Sequence, residues 1–194
     1  ESGEDRLIVI GDVSGKGVEA AATTTLVRHA VRTAAHIEAS LAERVTIVND
    51  AMVHGAPRTQ FCTLAMVRLT PTAGGAEAEV ICAGHPPPLV RRASGEVETV
   101  PAQGTLLGLF EDLRFDAVGV SLSPGDVLVL FTDGVTEARL PDGSLFGAEG
   151  LAEALAASSA QTTGRVLDHL DGELDRRRAG TRDDVAIVLA RVLD

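Results

Sequence analysis

Two short, fully apolar runs that each end at an aspartate constrain the fold of this chain more than any other feature. Residues 7–10 (Leu-Ile-Val-Ile) lead into Gly11 and Asp12, and residues 127–131 (Val-Leu-Val-Leu-Phe) lead to Asp133. Aliphatic runs of this length, bounded by turn residues, are typical of strands that are buried on both faces. The sequence therefore predicts a sheet whose buried strands carry carboxylates just past their ends.

Two segments after the first run have the spacing of amphipathic helices. The first is predicted from about residue 18 to residue 39, and the second opens with Ser40 and Glu43, the pattern of a capping box. Gly55 follows the second as a helix-ending residue. The predicted buried face of the first helix consists of Val18, Ala22, Leu26, Val27, Ala30, Val31, Ala34 and Ala35.

The rest of the chain alternates strand-like and helical patterns. Strands are predicted at residues 61–69, 76–83, 89–92, 97–100, 113–120 and 185–192, and helices at 149–156 and 163–178. Early helices, a run of strands, late helices and a final strand make an α+β pattern rather than alternating βαβ units. We expect one domain over residues 1–194.

Composition and charge exclude several classes of protein. The net charge of −11 disfavours nucleic acid and anionic membrane surfaces as partners, because both are recognised through Lys and Arg clusters. No apolar run approaches the roughly 20 residues of a membrane span, and the N-terminal sequence is not that of a signal peptide. Cys62 and Cys82 lie in apolar runs and are predicted to be reduced core residues. The expected location is the cytoplasm.

Three acidic positions form the candidate site. Asp12 and Asp133 follow the two apolar runs, and Asp183 and Asp184 precede the last strand. If the last strand is antiparallel to the other two, all three positions meet at one edge of the sheet. Crowded carboxylates favour a cation with oxygen ligands, such as Mg²⁺ or Mn²⁺. Asp and Gly are also ordinary turn residues, so the residues alone leave both interpretations equally open.

Two other phosphate-handling motifs fail on spacing. Residues 11–16 resemble a P-loop, but only three residues separate Gly11 from Gly15-Lys16, and Gly17 follows instead of Ser or Thr. The segment around Asp133 resembles an aspartyl-phosphate phosphatase, whose nucleophile would stand at position 131. That position is Phe131, so the chain offers no nucleophile there.

Taken in order along the chain, six short motifs resemble the PPM (protein phosphatase 2C-like) family, and more narrowly its bacterial SpoIIE/RsbU-like branch. The matching segments are residues 10–17 (Ile-Gly-Asp-Val-Ser-Gly-Lys-Gly), 61–63 (Phe-Cys-Thr), 83–87 (Ala-Gly-His-Pro-Pro), 107–108 (Leu-Gly), 131–138 (Phe-Thr-Asp-Gly-Val-Thr-Glu-Ala) and 183–184 (Asp-Asp). Each motif is weak alone, but six in the right order are a specific match over nearly the whole chain.

The resemblance implies an αββα sandwich of two antiparallel sheets flanked by helices, and a pair of Mn²⁺ or Mg²⁺ ions. It implies that Asp12 bridges the two ions, that the Val13 carbonyl binds one of them, and that Asp133 and Asp183 bind the other. It gives Asp184 a supporting role beside the metal. Three further candidates for supporting roles are Gly134, Lys16 and His85. For Lys16, contact with substrate phosphate and simple solvation are equally open, and for His85 a structural role in its turn is favoured.

The chain departs from the family pattern in three places. The family carries another acidic residue, in a Gly-Gly-Asp-like motif on a strand that would precede residue 1, so we expect that the chain is a fragment cut inside the domain. Cys82 stands where the family usually has Asn. Ser14 and Gly15 occupy the place where eukaryotic relatives carry a histidine, so no general acid is assigned.

The resemblance implies hydrolysis of phosphoserine or phosphothreonine on a protein. The substrate it suggests is a phosphorylated anti-sigma-factor antagonist of the STAS type, with an upstream sensor domain or a homodimer as further possible assembly. A catalytically inactive binding or regulatory module with the same fold is the main alternative. A small-molecule phosphomonoesterase is a weaker one, because the sequence shows no aromatic or basic substrate pocket.

Overall fold

The computed structural model describes residues 5–158, 162–177 and 184–193, and these form eight strands and five helices. The strands are β1 (Arg6–Val13), β2 (Cys62–Thr72), β3 (Gly75–Ala83), β4 (Leu89–Arg91), β5 (Val97–Thr99), β6 (Val118–Leu122), β7 (Val127–Phe131) and β8 (Ile187–Arg191). The helices are α1 (Val18–Ala35), α2 (Leu41–Gly55), α3 (Asp133–Thr136), α4 (Gly147–Ala157) and α5 (Thr163–Arg177).

The strands form two four-stranded antiparallel sheets, ordered β1-β2-β3-β6 and β5-β4-β7-β8. The predicted α+β class, with two antiparallel sheets and flanking helices, is confirmed. The chain divides into two compact units. Unit 1 comprises residues 1–71, 77–87 and 101–120, and unit 2 comprises residues 72–76, 88–100 and 121–194.

The core of unit 1 lies between its sheet and helices α1 and α2. Val45, Val48 and Met52 of α2 are fully buried and cluster with Leu64 and Met66 of β2. The predicted capping box is present: the Ser40 hydroxyl accepts a hydrogen bond from the Glu43 N–H, and the Glu43 carboxylate accepts one from the Ser40 N–H. The sequence pattern therefore located the start of α2 correctly.

The predicted buried face of α1 is partly wrong. Val18 is 87% exposed and Ala22 is exposed, whereas Ala20 and Thr23 are buried. The buried residues of the helix, from Ala20 to Ala34, follow alternating steps of three and four residues. A strict four-residue step overshoots the helical period of 3.6, so the predicted stripe drifts off the buried side towards the start of the helix.

The core of unit 2 is built on β7, whose five residues are all buried. β7 pairs antiparallel with β4 on one side and with β8 on the other. Helices α4 and α5 cover this sheet with Leu151, Leu155, Val166 and Leu170. A strand buried on every residue needs neighbours on both edges and apolar cover, and unit 2 supplies both to β7.

Three local expectations about the sheets are corrected by the structure. β1 continues to Val13, so Asp12 lies inside the strand and not past its end. β1 belongs to one sheet and β7 and β8 to the other, so the three acidic positions do not share one sheet edge. The strand predicted at 113–120 is found at 118–122. The choice of partner strand depends on pairing between distant segments, which local patterns do not reveal.

None of the helices in the described ranges is long and apolar enough to cross a membrane. Both cysteines are free and buried, as predicted.

Candidate functional site

Asp12 is held by the regular ladder between β1 and β2. It pairs directly with Thr63, and its neighbours Gly11 and Val13 pair with Leu64 and Cys62. A side chain at Gly11 would place its Cβ only 2.6 Å from the Thr63 carbonyl oxygen, so the backbones approach too closely for any larger residue. Asp12 itself is exposed. The ladder therefore fixes the backbone of Asp12, while solvent can reach its side chain.

The chain leaves β1 through a tight connection to α1. The Ser14 N–H donates to the Phe61 carbonyl at 2.9 Å, and the Phe61 N–H donates back to the Ser14 hydroxyl at 2.9 Å. Gly15 and Gly17 then adopt φ values of 88° and 87°, which side chains rarely allow. Lys16, between them, is exposed. This position is compatible with both roles considered for Lys16, and its role stays a prediction.

Thr63, opposite Asp12, bonds to a histidine. Its hydroxyl lies 3.0 Å from Nδ1 of His85, a ring that is buried at the end of β3. Thr63 and His85 lie 22 residues apart in the sequence, in separate motifs. Their contact bears on the candidate site because Thr63 pairs directly with Asp12.

A cavity of about 540 Å³ opens between β1 and α1 in unit 1. Val27 and Val31 of α1 and Leu64 of β2 form apolar parts of its wall, and Asp12 and Arg28 also line it. Side chains alternate along β1, and Val9 and Val13 pack on the helix side, so the Asp12 side chain lies on the opposite face of the strand.

The Cys62 thiol, next to Thr63 in β2, is buried in the core of unit 1. Burial, with a smaller contribution from the negative charge of Asp12, raises the pKa of Cys62 to about 12. In the metal-free protein this sulfur is therefore an unreactive thiol at neutral pH.

In unit 2, Asp133 follows β7 directly and begins the four-residue helix α3, which the sequence did not predict. Asp133 is exposed, while its neighbours Thr132 and Gly134 are buried. The Asp133 carbonyl accepts hydrogen bonds from the Glu137 N–H at 2.7 Å and from the Thr136 hydroxyl at 3.1 Å. The backbone of Asp133 is thus held by hydrogen bonds within the short turn, while its side chain is exposed to solvent.

The segment before β8 runs beside this turn, as the antiparallel arrangement predicts. The Thr132 N–H donates to the Ala186 carbonyl at 3.0 Å, and the Ala186 N–H donates to the Thr132 hydroxyl at 3.0 Å. The Thr132 hydroxyl also contacts the Asp184 carbonyl at 3.5 Å. The Thr132 side chain therefore supports the neighbouring backbone.

Gly134 allows the closest approach in unit 2. A Cβ at this position would lie 2.3 Å from the Asp184 carbonyl oxygen, which no side chain tolerates. The structure thus brings together Asp133, Gly134 and Asp184. Asp183, the predicted ligand, lies outside the described residues, and its ligand role stays a prediction.

Each unit presents one exposed carboxylate of the kind that a hard divalent cation prefers. Asp12 and Asp133 present exposed carboxylates on firmly bonded backbone, and oxygen is the ligand that Mg²⁺ and Mn²⁺ prefer. Within the described residues there is no group of three or more His, Cys, Asp or Glu side chains placed to hold a metal. Neither unit alone, in its described part, offers the closed His and Cys cage of a structural zinc site.

Comparison with known proteins assigns the family. The sequence profile of the family described as Stage II sporulation protein E (SpoIIE) matches residues 2–193. The chain belongs to the SpoIIE family. Among its relatives, Protein IcfG of Synechocystis is 29% identical over 89% of this chain and 31% of its own length. The phosphoserine phosphatase RsbU of Bacillus subtilis is 26% identical over 95% of this chain and 55% of its own length. The chain therefore spans between about a third and just over half of these relatives.

Solved structures share the fold over the whole chain. The RsbU and RsbW domains of Rv1364c from Mycobacterium tuberculosis match with a TM-score of 0.81 and 26% identity, covering 100% of this chain and 55% of that one. The catalytic domain of the serine threonine protein phosphatase PstP, described in complex with two manganese ions, matches with a TM-score of 0.61 and 17% identity, covering 97% of this chain and 88% of that one. At that identity the second likeness establishes the fold alone.

Proposed function

We propose that this chain is a metal-dependent protein phosphatase that hydrolyses phosphoserine or phosphothreonine. The observation that carries the proposal is the family match over residues 2–193, with Asp12 and Asp133 both retained as exposed carboxylates on rigid backbone. The relative RsbU is named a phosphoserine phosphatase, which supports the same reaction here.

The proposed ligands are those that the family resemblance implies. Asp12 would contact both Mn²⁺ or Mg²⁺ ions, and the Val13 carbonyl would hold one of them. Asp133 and Asp183 would hold the other ion, and Asp184 would support this part of the site through its backbone. The two manganese ions named for PstP support a two-ion centre.

Two bound ions would supply the acidity that makes water a nucleophile at neutral pH, and the positive charge that stabilises the phosphoryl oxygens. The role of this chain would be to hold carboxylates in fixed positions around the two ions. No side chain needs to form a phosphoenzyme, and none can at position 131, where Phe131 is the fully buried last residue of β7.

We further propose a phosphorylated protein as the substrate, of the STAS type that antagonises anti-sigma factors. The chain spans only part of its relatives, so an upstream sensor domain or a homodimer belongs to the same proposal. The free, buried thiols of Cys62 and Cys82 suit a reducing compartment such as the cytoplasm. The acidic net charge of −11 disfavours nucleic acid as the partner.

An inactive binding or regulatory module is the second candidate. Retention of Asp12, Asp133 and Asp183 favours the enzyme, because an inactive module has no need of them.

The deciding experiment is hydrolysis of an aryl phosphate and of a phosphoserine peptide, with and without millimolar Mn²⁺. The proteins are the wild-type chain, Asp133→Ala, and Asp168→Ala as a matched control that removes an exposed carboxylate from α5. We expect Mn²⁺-dependent turnover in the wild type and the control, and a loss of more than about 100-fold in Asp133→Ala. No Mn²⁺-dependent rate in the wild-type chain would favour the inactive module, and equal Mn²⁺-dependent rates in all three proteins would contradict the ligand role of Asp133.

A further inference from the structure

We propose that Thr63 and His85 form a positioning pair that orients the Asp12 carboxylate for metal binding. The inference deepens the proposed function and rests on it. The three residues belong to separate motifs at positions 12, 63 and 85. In unit 1, Asp12 is the strand partner of Thr63, and Thr63 contacts His85.

The first link is the strand register. Asp12 and Thr63 are direct partners in the antiparallel ladder of β1 and β2. Side chains of direct partners point to the same face of a sheet, with Cβ atoms about 4.5–5.5 Å apart. The Thr63 hydroxyl is therefore the polar group that the fold places across from the Asp12 carboxylate.

The second link is the hydrogen bond from Thr63 to the ring. His85 is buried, and its Nδ1 lies 3.0 Å from the Thr63 hydroxyl oxygen. A carboxylate only accepts hydrogen bonds, so a hydroxyl beside it is best used as a donor to that carboxylate. The same hydroxyl can then accept from His85, which sets the ring as the Nδ1–H tautomer.

The third link is the rigidity of the backbone that carries His85. Its neighbour Gly84 has φ of 65°, bridges to Leu64, and donates its N–H to the Gly104 carbonyl at 2.8 Å. A Cβ on Gly84 would lie 2.7 Å from Cβ of Leu106. The backbone therefore fixes the position of the His85 ring, and the hydrogen bond to this ring fixes the direction of the Thr63 hydroxyl.

Residues that hydrogen-bond a metal ligand affect the affinity for the metal because they fix the orientation of that ligand. Loss of a residue that hydrogen-bonds a metal ligand typically costs about 10–100-fold in metal affinity or activity. A threonine that only fills space would lower the stability of the fold but leave the affinity for Mn²⁺ unchanged. This difference separates the positioning role from a structural one.

The test compares Thr63→Val, Thr63→Ser and Thr46→Val in the full 194-residue chain. Thr46 is the matched control, because its partly buried hydroxyl donates to the Ala42 carbonyl within α2. Mn²⁺ alone is titrated by calorimetry, and the Mn²⁺-dependent rise in melting temperature is recorded in parallel. We expect the Kd for Mn²⁺ to rise about 10-fold or more in Thr63→Val, and to stay within about 3-fold of wild type in Thr63→Ser and Thr46→Val.

His85 provides an independent variant. Asn at position 85 can offer an amide N–H close to the place of Nδ1–H, whereas Leu cannot. We expect His85→Asn to keep more Mn²⁺ affinity than His85→Leu. Thr63→Val and His85→Leu binding Mn²⁺ as tightly as wild type would overturn the inference while leaving the phosphatase proposal intact. A wild-type chain that binds Mn²⁺ no better than Asp12→Ala would overturn both.

Discussion

The two carboxylates of the proposed site are held in different ways. In unit 1, Asp12 lies within β1, and its position is set residue by residue by pairing with β2. In unit 2, Asp133 lies beyond the end of β7, on a short helical turn fixed by hydrogen bonds around Thr132 and by the closeness of Gly134 to Asp184. A strand presents a ligand through its register, whereas a turn presents one through local backbone contacts.

Substitutions should therefore act differently in the two units. A side-chain change opposite Asp12 alters what the carboxylate touches but leaves the ladder in place. A change at Thr132 or Gly134 alters the path of the backbone itself. We therefore expect unit 2 to respond to its substitutions mainly with lost stability, and unit 1 to respond at Thr63 mainly with lost metal affinity.

The largest effect on stability is expected for Gly134→Ala. The added Cβ would meet the Asp184 carbonyl oxygen at 2.3 Å, whereas in Gly11→Ala it would meet the Thr63 carbonyl oxygen at 2.6 Å. Overpacking of this kind costs about 1–3 kcal/mol, with Gly134→Ala at the upper end. Urea unfolding measures both, with Gly74→Ala as the control because its Cβ meets nothing within 4 Å. Equal stability of Gly134→Ala and the control would refute the close approach in unit 2.

Thr132→Val tests the hydrogen bonds between the turn and the segment before β8. The variant keeps the shape of the side chain but leaves the Ala186 N–H without its acceptor. Ala186 is exposed, so the loss of this part-buried hydrogen bond costs about 0.5–1.5 kcal/mol, and Thr132→Ser restores the acceptor. We expect the free energy of unfolding to fall in Thr132→Val and to recover in Thr132→Ser. If both variants unfold alike, the hydroxyl does not hold this turn.

Asp126 gives unit 2 a pH dependence. Burial alone would raise its pKa, but hydrogen bonds from the Ser123 N–H, from Arg92 and from the Ala93 N–H outweigh burial and lower the pKa below the ordinary value of 3.8. A carboxylate whose pKa is lower in the folded state stabilises the fold above its unfolded pKa, and this contribution is lost as the pH falls through the folded pKa.

The corresponding variant is Asp126→Asn. We expect it to be less stable than wild type by about 1–2 kcal/mol at neutral pH, and the difference to shrink as the pH falls below about 4. Thermal unfolding at a series of pH values measures this difference. A difference that is constant with pH would contradict the assignment.

The smallest effect is expected at the thiols of unit 1. Burial raises the pKa of Cys62 and of Cys82 to about 12, with the Asp12 charge as a second cause for Cys62. At about pH 8 we expect iodoacetamide to modify them only as fast as the protein unfolds, because the thiolate is the reactive form. Rapid labelling of the native chain would show that the core beside Asp12 is open to solvent.

Local signals in the sequence predicted much of the fold. The capping box of Ser40 and Glu43, the two short strands at 89–92 and 97–100, and the buried run of β7 all depend on neighbouring residues. The short helix α3 was missed because four residues are too few to show a helical period. The sheet to which β1 belongs was also missed, since partner choice depends on distant segments.

The site was predicted by residue type but not by geometry. The proximity of Asp133 to Asp184 followed from one correct assumption, that the last strand is antiparallel to the strand at 127–131. The contact of Thr63 with His85 had no local signal, because it joins the start of β2 to the residue pair that follows β3. Pairing between strands, and not residue type, decides which polar groups face a ligand.

The most direct test of the account is the Mn²⁺ dependence of phosphatase activity in Asp12→Ala and Asp133→Ala, measured beside wild type and Asp168→Ala. If carboxylates from both units serve one metal-dependent reaction, both variants lose more than about 100-fold of the Mn²⁺-stimulated rate, and the control keeps it. Retention of the Mn²⁺-stimulated rate in either Asp12→Ala or Asp133→Ala would contradict the account.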